Sequence, residues 1–314
     1  MIVAQSAALV IGFILNLLIG ADFGRVMKKI VSRTEKILRK IFPNKKGGEK
    51  AAGFFTLIFV VAISGGAVFA LLFFAYRFHM VVGAVVESVI CIFLFSTRAF
   101  GKMGKKVFNA LMQGDIEKSR KYLSVISDCD TENLNDTGVT KMAVEAIAEN
   151  ILNGVVAPLV FIALGGDVLG IIYMAVIAVS SALDRRNEKY VNSGSCAEKV
   201  ARFMNYIPSR ICARIMILSA YMLGFDGKIA VKTYKYASYT GILRVKAVVA
   251  GALKIQLAGD EYYYGRLHNE PSVGEDIRDI QYYNIRNTNK MMYMTAVITF
   301  VLLVGIKLAI GLFI

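Results

Sequence analysis

Long apolar runs alternate with charged segments along this chain of 314 residues. The apolar runs are Ile2–Ile19, Ala51–Tyr76, Val81–Phe95, Gly154–Leu183, Ile207–Phe225 and Met291–Ile314. An α-helix needs about 20 apolar residues to cross a bilayer, and the alternating pattern of a transmembrane β-barrel is absent. The pattern predicts an all-α, polytopic integral membrane protein whose membrane helices are joined by polar cytoplasmic helices and loops.

We expect these runs to belong to one membrane domain, residues 1–314. Residues 1–97 would supply the N-terminal spans and a basic cytoplasmic loop. Residues 98–290 would form a cytoplasm-facing site region with further membrane helices, and residues 291–314 the C-terminal span.

The fourth apolar run is interrupted by the sequence GGD at residues 165–167. A carboxylate such as Asp167 that faced lipid at mid-bilayer would cost about 2.5–3.5 kcal/mol. Broken helices are tolerated at membrane depth where protein buries them. We therefore expect a broken helix pair, a re-entrant hairpin that enters the membrane and returns. It would place residues 184–189 on the same side of the membrane as residues 98–150.

The charge of the chain is strongly positive, with 37 Lys and Arg against 23 Asp and Glu, although 56% of its residues are hydrophobic and its mean hydropathy is +0.55. The excess is clearest between Arg25 and Lys50. Basic segments beside spans stay in the cytoplasm and contact anionic lipid. Because no RNP, zinc-finger or helix-turn-helix pattern occurs, we expect no nucleic-acid partner. We expect a multi-pass protein of the cell (cytoplasmic) membrane, with residues 25–50 and 98–150 in the cytoplasm.

Familiar motifs for nucleotide or metal chemistry are missing from the sequence. There is no G-x-x-x-x-G-K-[ST], no G-x-G-x-x-G after a strand and no H-E-x-x-H. The four cysteines include no C-x-x-C pair, so the sequence predicts neither a disulfide framework nor a cysteine-ligated metal. The remaining concentration of polar residues, around 128–153, is the candidate site.

Within this region, Lys141, Glu145, Glu149 and Asn153 follow one another at intervals of four residues, so on a helix they share one face. The two glutamates repel each other, more strongly where the dielectric constant falls near a membrane. A cation between them would relieve the repulsion, and Mg²⁺ is usually held by one or two carboxylates plus substrate phosphates. The spacing leaves two interpretations open: a magnesium site, or a solvated face on which Lys141 neutralises Glu145.

A series of longer motifs resembles one family. In order, they are SRKYLSVISDCDTENL, VEAIAENILNGVVAPLVFIALGG, RNEKY, NYIPSR, VAGALKIQLAG, YYYGRL and RNTNKMMYMTAVI. Their order is similar to that of the adenosylcobinamide-phosphate synthases of cobalamin biosynthesis (the CobD/CbiB type). The resemblance implies a membrane enzyme that joins the carboxylate of a corrinoid, adenosylcobyric acid, to aminopropanol or its phosphate with ATP and Mg²⁺. Beyond the corrinoid and the lipid bilayer, its expected partners are a second copy of the chain or other membrane proteins of the pathway.

The resemblance also implies roles for particular residues. The expected catalytic residues are Glu145, Glu149 and Asn150, and the expected metal ligands are Asp130, Glu145 and Glu149. The expected substrate-binding residues are Asp130, Thr131, Asn153, Arg185, Arg186, Lys189, Asn205 and Arg210. Of these, Arg185, Arg186 and Lys189 are candidate anion clamps, since Arg suits bidentate phosphate contact. Their alternative role is to anchor the topology.

Several positions depart from the family pattern. Residues 19–30 lack the Gly-Asp-Pro and His-Pro-Val segments that usually follow the first span. Charged or acidic family positions hold other residues here, namely Asn16, Cys129, Asn153, Ser180, Ala201 and Arg202. The alternative function is therefore a non-catalytic paralogue that keeps the fold as a corrinoid-binding or membrane-assembly protein.

Overall fold

The computed structural model describes residues 2–19, 23–42, 46–236 and 241–313. Residues 20–22, within the segment that lacks the Gly-Asp-Pro, lie outside this description. The helices are α1 (Ile2–Ile19), α2 (Phe23–Ile41), α3 (Lys46–Phe78), α4 (Met80–Leu94), α5 (Thr97–Met112), α6 (Ile116–Leu123), α7 (Asp136–Ile151), α8 (Ala157–Ala182), α9 (Gly194–Met204), α10 (Tyr206–Met222), α11 (Gly227–Tyr236), α12 (Ile242–Leu253) and α13 (Tyr283–Phe313). The predicted all-α class is confirmed.

Shorter elements complete the fold. A π-helical segment, Leu152–Val156, joins α7 to α8, and a 3₁₀ turn covers Glu188–Tyr190. Strands β1 (Glu261–Tyr263) and β2 (Arg266–His268) form an antiparallel hairpin in which Tyr262 is opposite Leu267. The sequence pattern does not predict this hairpin.

Four helical runs in the described part of the chain are long and apolar enough to cross a membrane: Lys46–Phe78, Met80–Met112, Asp136–Ala182 and Tyr283–Ile306. These runs confirm the prediction of a polytopic membrane protein. The predicted run Ile207–Phe225 forms α10, which has 17 residues and is not among the four.

The chain divides into two compact units. Unit 1 comprises Met1–Ser96, Pro158–Asn205 and Phe300–Ile314, and unit 2 comprises Thr97–Ala157 and Tyr206–Thr299. In unit 1, a buried cluster joins α2, α3, α8 and α9 through residues such as Val31, Leu57 and Val179. The expectation that residues 1–314 form one membrane domain is not decided by this division, and it stays a prediction.

Unit 2 is built around α7 and α12. Every residue of α12 from Val245 to Leu253 is buried, and most of α7 beyond Val139 is buried as well. The hydroxyl groups of Ser219 on α10 and Thr295 on α13 lie 3.0 Å apart and are also buried. Polar side chains in this interior therefore need partners from within the unit.

The backbone of α8 breaks at the GGD sequence. Gly165 and Gly166 have φ/ψ values of −148°/24° and 68°/−168°. The rings of Phe161 and Tyr173 stack with centroids 4.8 Å apart, whereas 12 residues of continuous helix would separate them by about 18 Å. The chain therefore reverses, and the predicted broken helix pair is confirmed. Asp167 is buried, 2% exposed, and accepts a hydrogen bond from the Cys91 thiol at 3.3 Å.

The reversal makes Gly166 a sensitive position. Its φ/ψ belongs to a region that is essentially restricted to glycine, which costs other residues about 1–3 kcal/mol. A Cβ at Gly166 meets nothing within 4 Å, so this cost comes from the backbone alone. We expect Gly166→Ala to lower the free energy of unfolding by about 1–3 kcal/mol. The matched control is Gly66→Ala in the middle of α3, where a Cβ also meets nothing within 4 Å. It should be neutral or stabilising, and equal losses in both variants would contradict the reversal.

Orientation can be tested at the two ends of α3. This helix has 33 residues, so at about 1.5 Å per residue its ends project beyond a hydrocarbon core of about 30 Å. Cysteine variants at Lys50 and His79, both exposed, are best made with Cys196→Ser, because the other three cysteines are buried. An impermeant maleimide should label position 79 in intact cells and position 50 only after permeabilisation. The reverse pattern would overturn the predicted orientation.

Candidate functional site

Two helices of unit 2 bring three charged side chains together. Helix α7 carries Glu145 and Glu149 one turn apart, and α12 carries Lys246. The Lys246 Nζ lies 2.7 Å from Glu145 Oε2 and 3.0 Å from Glu149 Oε1. We call these three residues the ion triad. Its ammonium group is the cation between the two carboxylates.

The ion triad is buried at one end and accessible at the other. The side chains of Lys246 and Glu145 are 3% and 1% exposed, whereas that of Glu149 is 38% exposed. The second oxygen of Glu145, Oε1, accepts the backbone N–H of Ala258 at 2.7 Å. Burial opposes the charge on Lys246, but Glu149 and Glu145 outweigh it and hold the pKa of its ammonium well above the usual value. The triad is therefore a fixed inner ion pair with one carboxylate facing outward.

A second ion pair lies beside the ion triad. The Lys141 Nζ is 3.1 Å from Glu261 Oε1 on β1. Lys141 thus pairs with Glu261, and the cation that neutralises Glu145 is Lys246. Burial, and then the charge of Glu145, raise the pKa of the Glu261 carboxyl, although Lys141 and Lys246 oppose this shift. Glu261 therefore belongs to the same electrostatic cluster.

Asp130 holds the turn of the β-hairpin. Its two oxygens accept the backbone N–H groups of Tyr264 at 3.1 Å and Gly265 at 2.6 Å. Its own N–H donates to the Tyr262 carbonyl at 3.0 Å. Both Tyr264 and Gly265 have positive φ, 53° and 76°, so the carboxylate stabilises an unusual backbone conformation. The hairpin carries Glu261, and Asp130 thereby helps to position the cluster without contacting the ion triad.

The other predicted residues of unit 2 are not members of the ion triad. Thr131 is buried, and the Asn150 amide donates to Met292 Sδ at 3.6 Å. Asn153 is half-buried within the π-helical segment, an irregularity that often occurs at functional sites. The Arg210 guanidinium lies 3.7 Å above the Tyr206 ring and donates to the Tyr206 carbonyl.

Four predicted substrate-binding residues lie in unit 1. Arg185 pairs with Glu198 at 2.8 Å and Arg186 with Asp184 at 2.7 Å, so each guanidinium already has a carboxylate partner. Asn205 accepts the Tyr173 hydroxyl at 2.9 Å. Lys189 is exposed, with its ammonium 4.9 Å from the Tyr190 ring centroid. Substrate binding by these four residues stays a prediction.

Two of the three predicted magnesium ligands are already engaged within the protein. Both oxygens of Asp130 accept backbone N–H groups, and both oxygens of Glu145 are taken by Lys246 and Ala258. A divalent ion at Glu145 would have to displace a buried ammonium. Among the described residues, no group of three or more His, Cys, Asp or Glu side chains is arranged to hold a metal.

Two of the departures from the family pattern have structural roles. The Asn16 amide donates to the carbonyls of Ile92 and Phe95 at 2.8 and 2.7 Å, at the end of α4. An aspartate there would lack the donor. Ala201 is buried in the apolar core of unit 1, where an unpaired carboxylate would be costly. These positions now stabilise the fold.

Sequence reasoning missed Lys246 and Glu261. Lys246 did carry a signal, because it is a lone charge within the apolar run Val245–Leu253. The spacing of residues along the sequence could not predict that Lys246 pairs with Glu145, because Glu145 lies 101 residues earlier.

Replacing the ammonium tests whether it acts as a built-in cation. Lys246→Met leaves Glu145 buried with an uncompensated charge, so the free energy of unfolding should fall by about 3–5 kcal/mol. Millimolar Mn²⁺ or Mg²⁺ should raise the thermal midpoint of this variant and leave the wild-type midpoint unchanged. The control, Lys246→Met with Glu145→Gln, should recover stability and respond less to the ions. A wild-type midpoint that rises as much as the variant's would contradict this interpretation.

Comparisons with known proteins place most of the chain in one family. The family described as "CobD/Cbib protein" matches residues 9–292. The chain is 35% identical to the cobalamin biosynthesis protein CobD of Clostridium perfringens, over 92% of this chain and 93% of that protein. It is 30% identical to CobD of Leptospira interrogans, over 87% and 88% of the two chains, and 28% identical to CobD of Klebsiella pneumoniae, over 90% of each. No solved structure matches. The chain therefore belongs to the CobD/CbiB family, and its role lies in cobalamin biosynthesis.

Proposed function

We propose that this protein forms an amide bond at the membrane between a carboxylate of a corrinoid, adenosylcobyric acid, and aminopropanol or its phosphate, at the expense of ATP. Family membership and the motif order support this class of reaction. The observation that carries the proposal is the outward-facing carboxylate of Glu149, 38% exposed and held at 3.0 Å by the buried ammonium of Lys246.

The chemistry explains why such a carboxylate is useful. A carboxylate is a poor acyl donor, so ATP first converts the corrinoid carboxylate to an acyl phosphate and releases ADP. The amine nitrogen then attacks the acyl carbon, the C–N bond forms, and inorganic phosphate leaves. The attacking nitrogen, as a neutral amine, must lose one proton when the amide forms. Glu149 has one oxygen on Lys246, and its other oxygen contacts the amine and accepts a proton from it, as a general base.

Lys246 is a positioning residue in this scheme. Its buried contacts to Glu145 and Glu149 fix the Glu149 carboxylate in direction and keep a cation beside it. Glu145, with both oxygens engaged, anchors the ammonium and does not meet the substrate. Because Asp130 and Glu145 are engaged within the protein, the scheme uses Glu149 and Lys246 and routes no step through a metal ion.

The site acts on the cytoplasmic face of the cell membrane in this proposal, where ATP is available. The basic segment between Arg25 and Lys50 supports that orientation. The corrinoid reaches the site at the membrane surface, and a second copy of the chain or another membrane protein of the pathway remains the expected protein partner.

A second candidate is a non-catalytic, corrinoid-binding paralogue. Two observations favour it: Lys246 fills the position between the carboxylates, and Ala201, which stands at an acidic family position, is buried in the core. A protein of this kind would bind the corrinoid without consuming ATP.

Turnover by the purified protein separates the two candidates. With adenosylcobyric acid, aminopropanol phosphate and Mg·ATP, we expect ADP release and an amide product detectable by mass spectrometry. Glu149→Gln should lower kcat about 100-fold or more while corrinoid binding, followed by absorbance, persists. Glu117→Gln is the matched control, because that carboxylate is 79% exposed and pairs with Arg120 outside the ion triad.

The turnover assay has two outcomes that would change the proposal. Corrinoid binding without ADP or product in the wild type would favour the non-catalytic paralogue. Full turnover by Glu149→Gln would remove Glu149 from the mechanism and leave the reaction class standing.

A further inference from the structure

Helix α2 presents an apolar stripe away from the core of unit 1. Met27, Val31 and Glu35 lie on its buried face. Ile30, Ile37 and Ile41 are 46%, 62% and 68% exposed, and their spacing places them on one line along the helix. No described residue of unit 1 covers this stripe.

A basic stripe runs beside the apolar one. Its members are exposed and follow one another at intervals of four, three and four residues: Lys29, Arg33, Lys36 and Lys40. An exposed apolar stripe beside a row of Lys and Arg is typical of a helix that lies in the membrane interface. Clusters of this size on amphipathic helices recognise anionic lipids.

The end of α2 lies where a membrane span begins. Phe42 stacks on Phe55 of α3, with ring centroids 5.4 Å apart. Lys50 is the last charged residue of α3 before its apolar stretch, and Phe54 and Phe55 are 45% and 46% exposed. The rings lie where the apolar stretch of α3 begins, so a membrane span that starts there would put the end of α2 near the level of the lipid headgroups.

A cavity of about 650 Å³ opens at this end of α2. Its lining combines cations with apolar side chains: Lys36, Arg39, Lys40 and Lys189, together with Ile37 and Phe42. Glu35 is the one carboxylate of the lining. We call it the α2 cavity.

Arg39 is fixed within the lining, whereas the lysines are available. The Arg39 Nε donates to Glu35 Oε1 at 2.6 Å and its Nη2 donates to the Lys189 carbonyl at 2.8 Å. Among the described residues, the ammonium groups of Lys36, Lys40 and Lys189 have no carboxylate within ion-pair distance. Three exposed ammonium groups beside an apolar wall suit an anion that is itself amphiphilic.

We propose that the α2 cavity binds the headgroup of an acidic phospholipid. Lys36, Lys40 and Lys189 contact the phosphate, while Ile37 and Phe42 contact the first part of an acyl chain. The exposed isoleucine stripe of the same helix continues this apolar surface into the bilayer. The ring stack with Phe55 places the cations at the depth of lipid phosphates.

Native mass spectrometry of the detergent-purified protein tests this site. Phosphatidylglycerol and phosphatidylcholine of equal chain length are titrated separately, and we expect the wild type to prefer phosphatidylglycerol by about tenfold or more. Lys36→Gln, Lys40→Gln and Lys189→Gln together should abolish most of that preference. Arg39 is left in place because its contacts hold α2 to residues 189–190.

The matched control removes three exposed lysines of unit 2: Lys102→Gln, Lys105→Gln and Lys121→Gln. It loses the same charge and should keep the preference. Folding of both variants is checked by thermal unfolding with a thiol-reactive dye, since three of the four cysteines become accessible only on unfolding.

Three results would overturn the proposal: equal binding of the two lipids by the wild type, an equal loss in the control, or displacement of the lipid by inorganic phosphate at the same concentration. The last would identify a site for free phosphate. The experiment measures lipid binding and not turnover, so its failure would leave the reaction class untouched.

Discussion

A buried ammonium group is costly unless carboxylates surround it, and the interior of unit 2 is organised around that cost for Lys246. The residue lies in a helix whose other positions from Val245 to Leu253 are also buried, so water does not stabilise its charge. Glu145 supplies a fully buried partner, and Glu149 supplies one that reaches the surface. Because both carboxylates of α7 have to lie beside this ammonium, the ion pairs set how α7 is rotated about its axis relative to α12. Glu145 also fixes the backbone at Ala258, which donates to this carboxylate despite a φ of 56°.

Much of the fold was predictable because the length of an apolar run can be counted directly along the sequence. Four of the six apolar runs lie in helices long enough to cross a membrane. The GGD sequence predicted the break in α8, because a carboxylate in an apolar run has to be buried. The short hairpin at residues 261–268 was missed. It has three-residue strands, and its turn is stabilised by Asp130, which lies 134 residues earlier than Tyr264.

The candidate site was predictable in part. The interval of four residues placed Glu145 and Glu149 on one face, and the structure has them there. Their cation could not be found in the same way, because i,i+4 spacing suggests only partners on the same helix, such as Lys141. The partner that the fold supplies is Lys246, 101 residues away. Long-range ion pairs of this kind depend on tertiary packing, which local spacing does not encode.

The division of the chain also dictates an order of assembly. Residues 158–205 belong to unit 1 and separate the two segments of unit 2. During synthesis, Glu145 emerges from the ribosome long before Lys246, and the whole α8 reversal must be made and inserted between them. Until then, α7 carries two acidic side chains without their counter-ion. The closure of unit 2 is therefore a late, non-local folding step. A chain truncated before residue 246 would keep its first spans and lack the charge balance of its site.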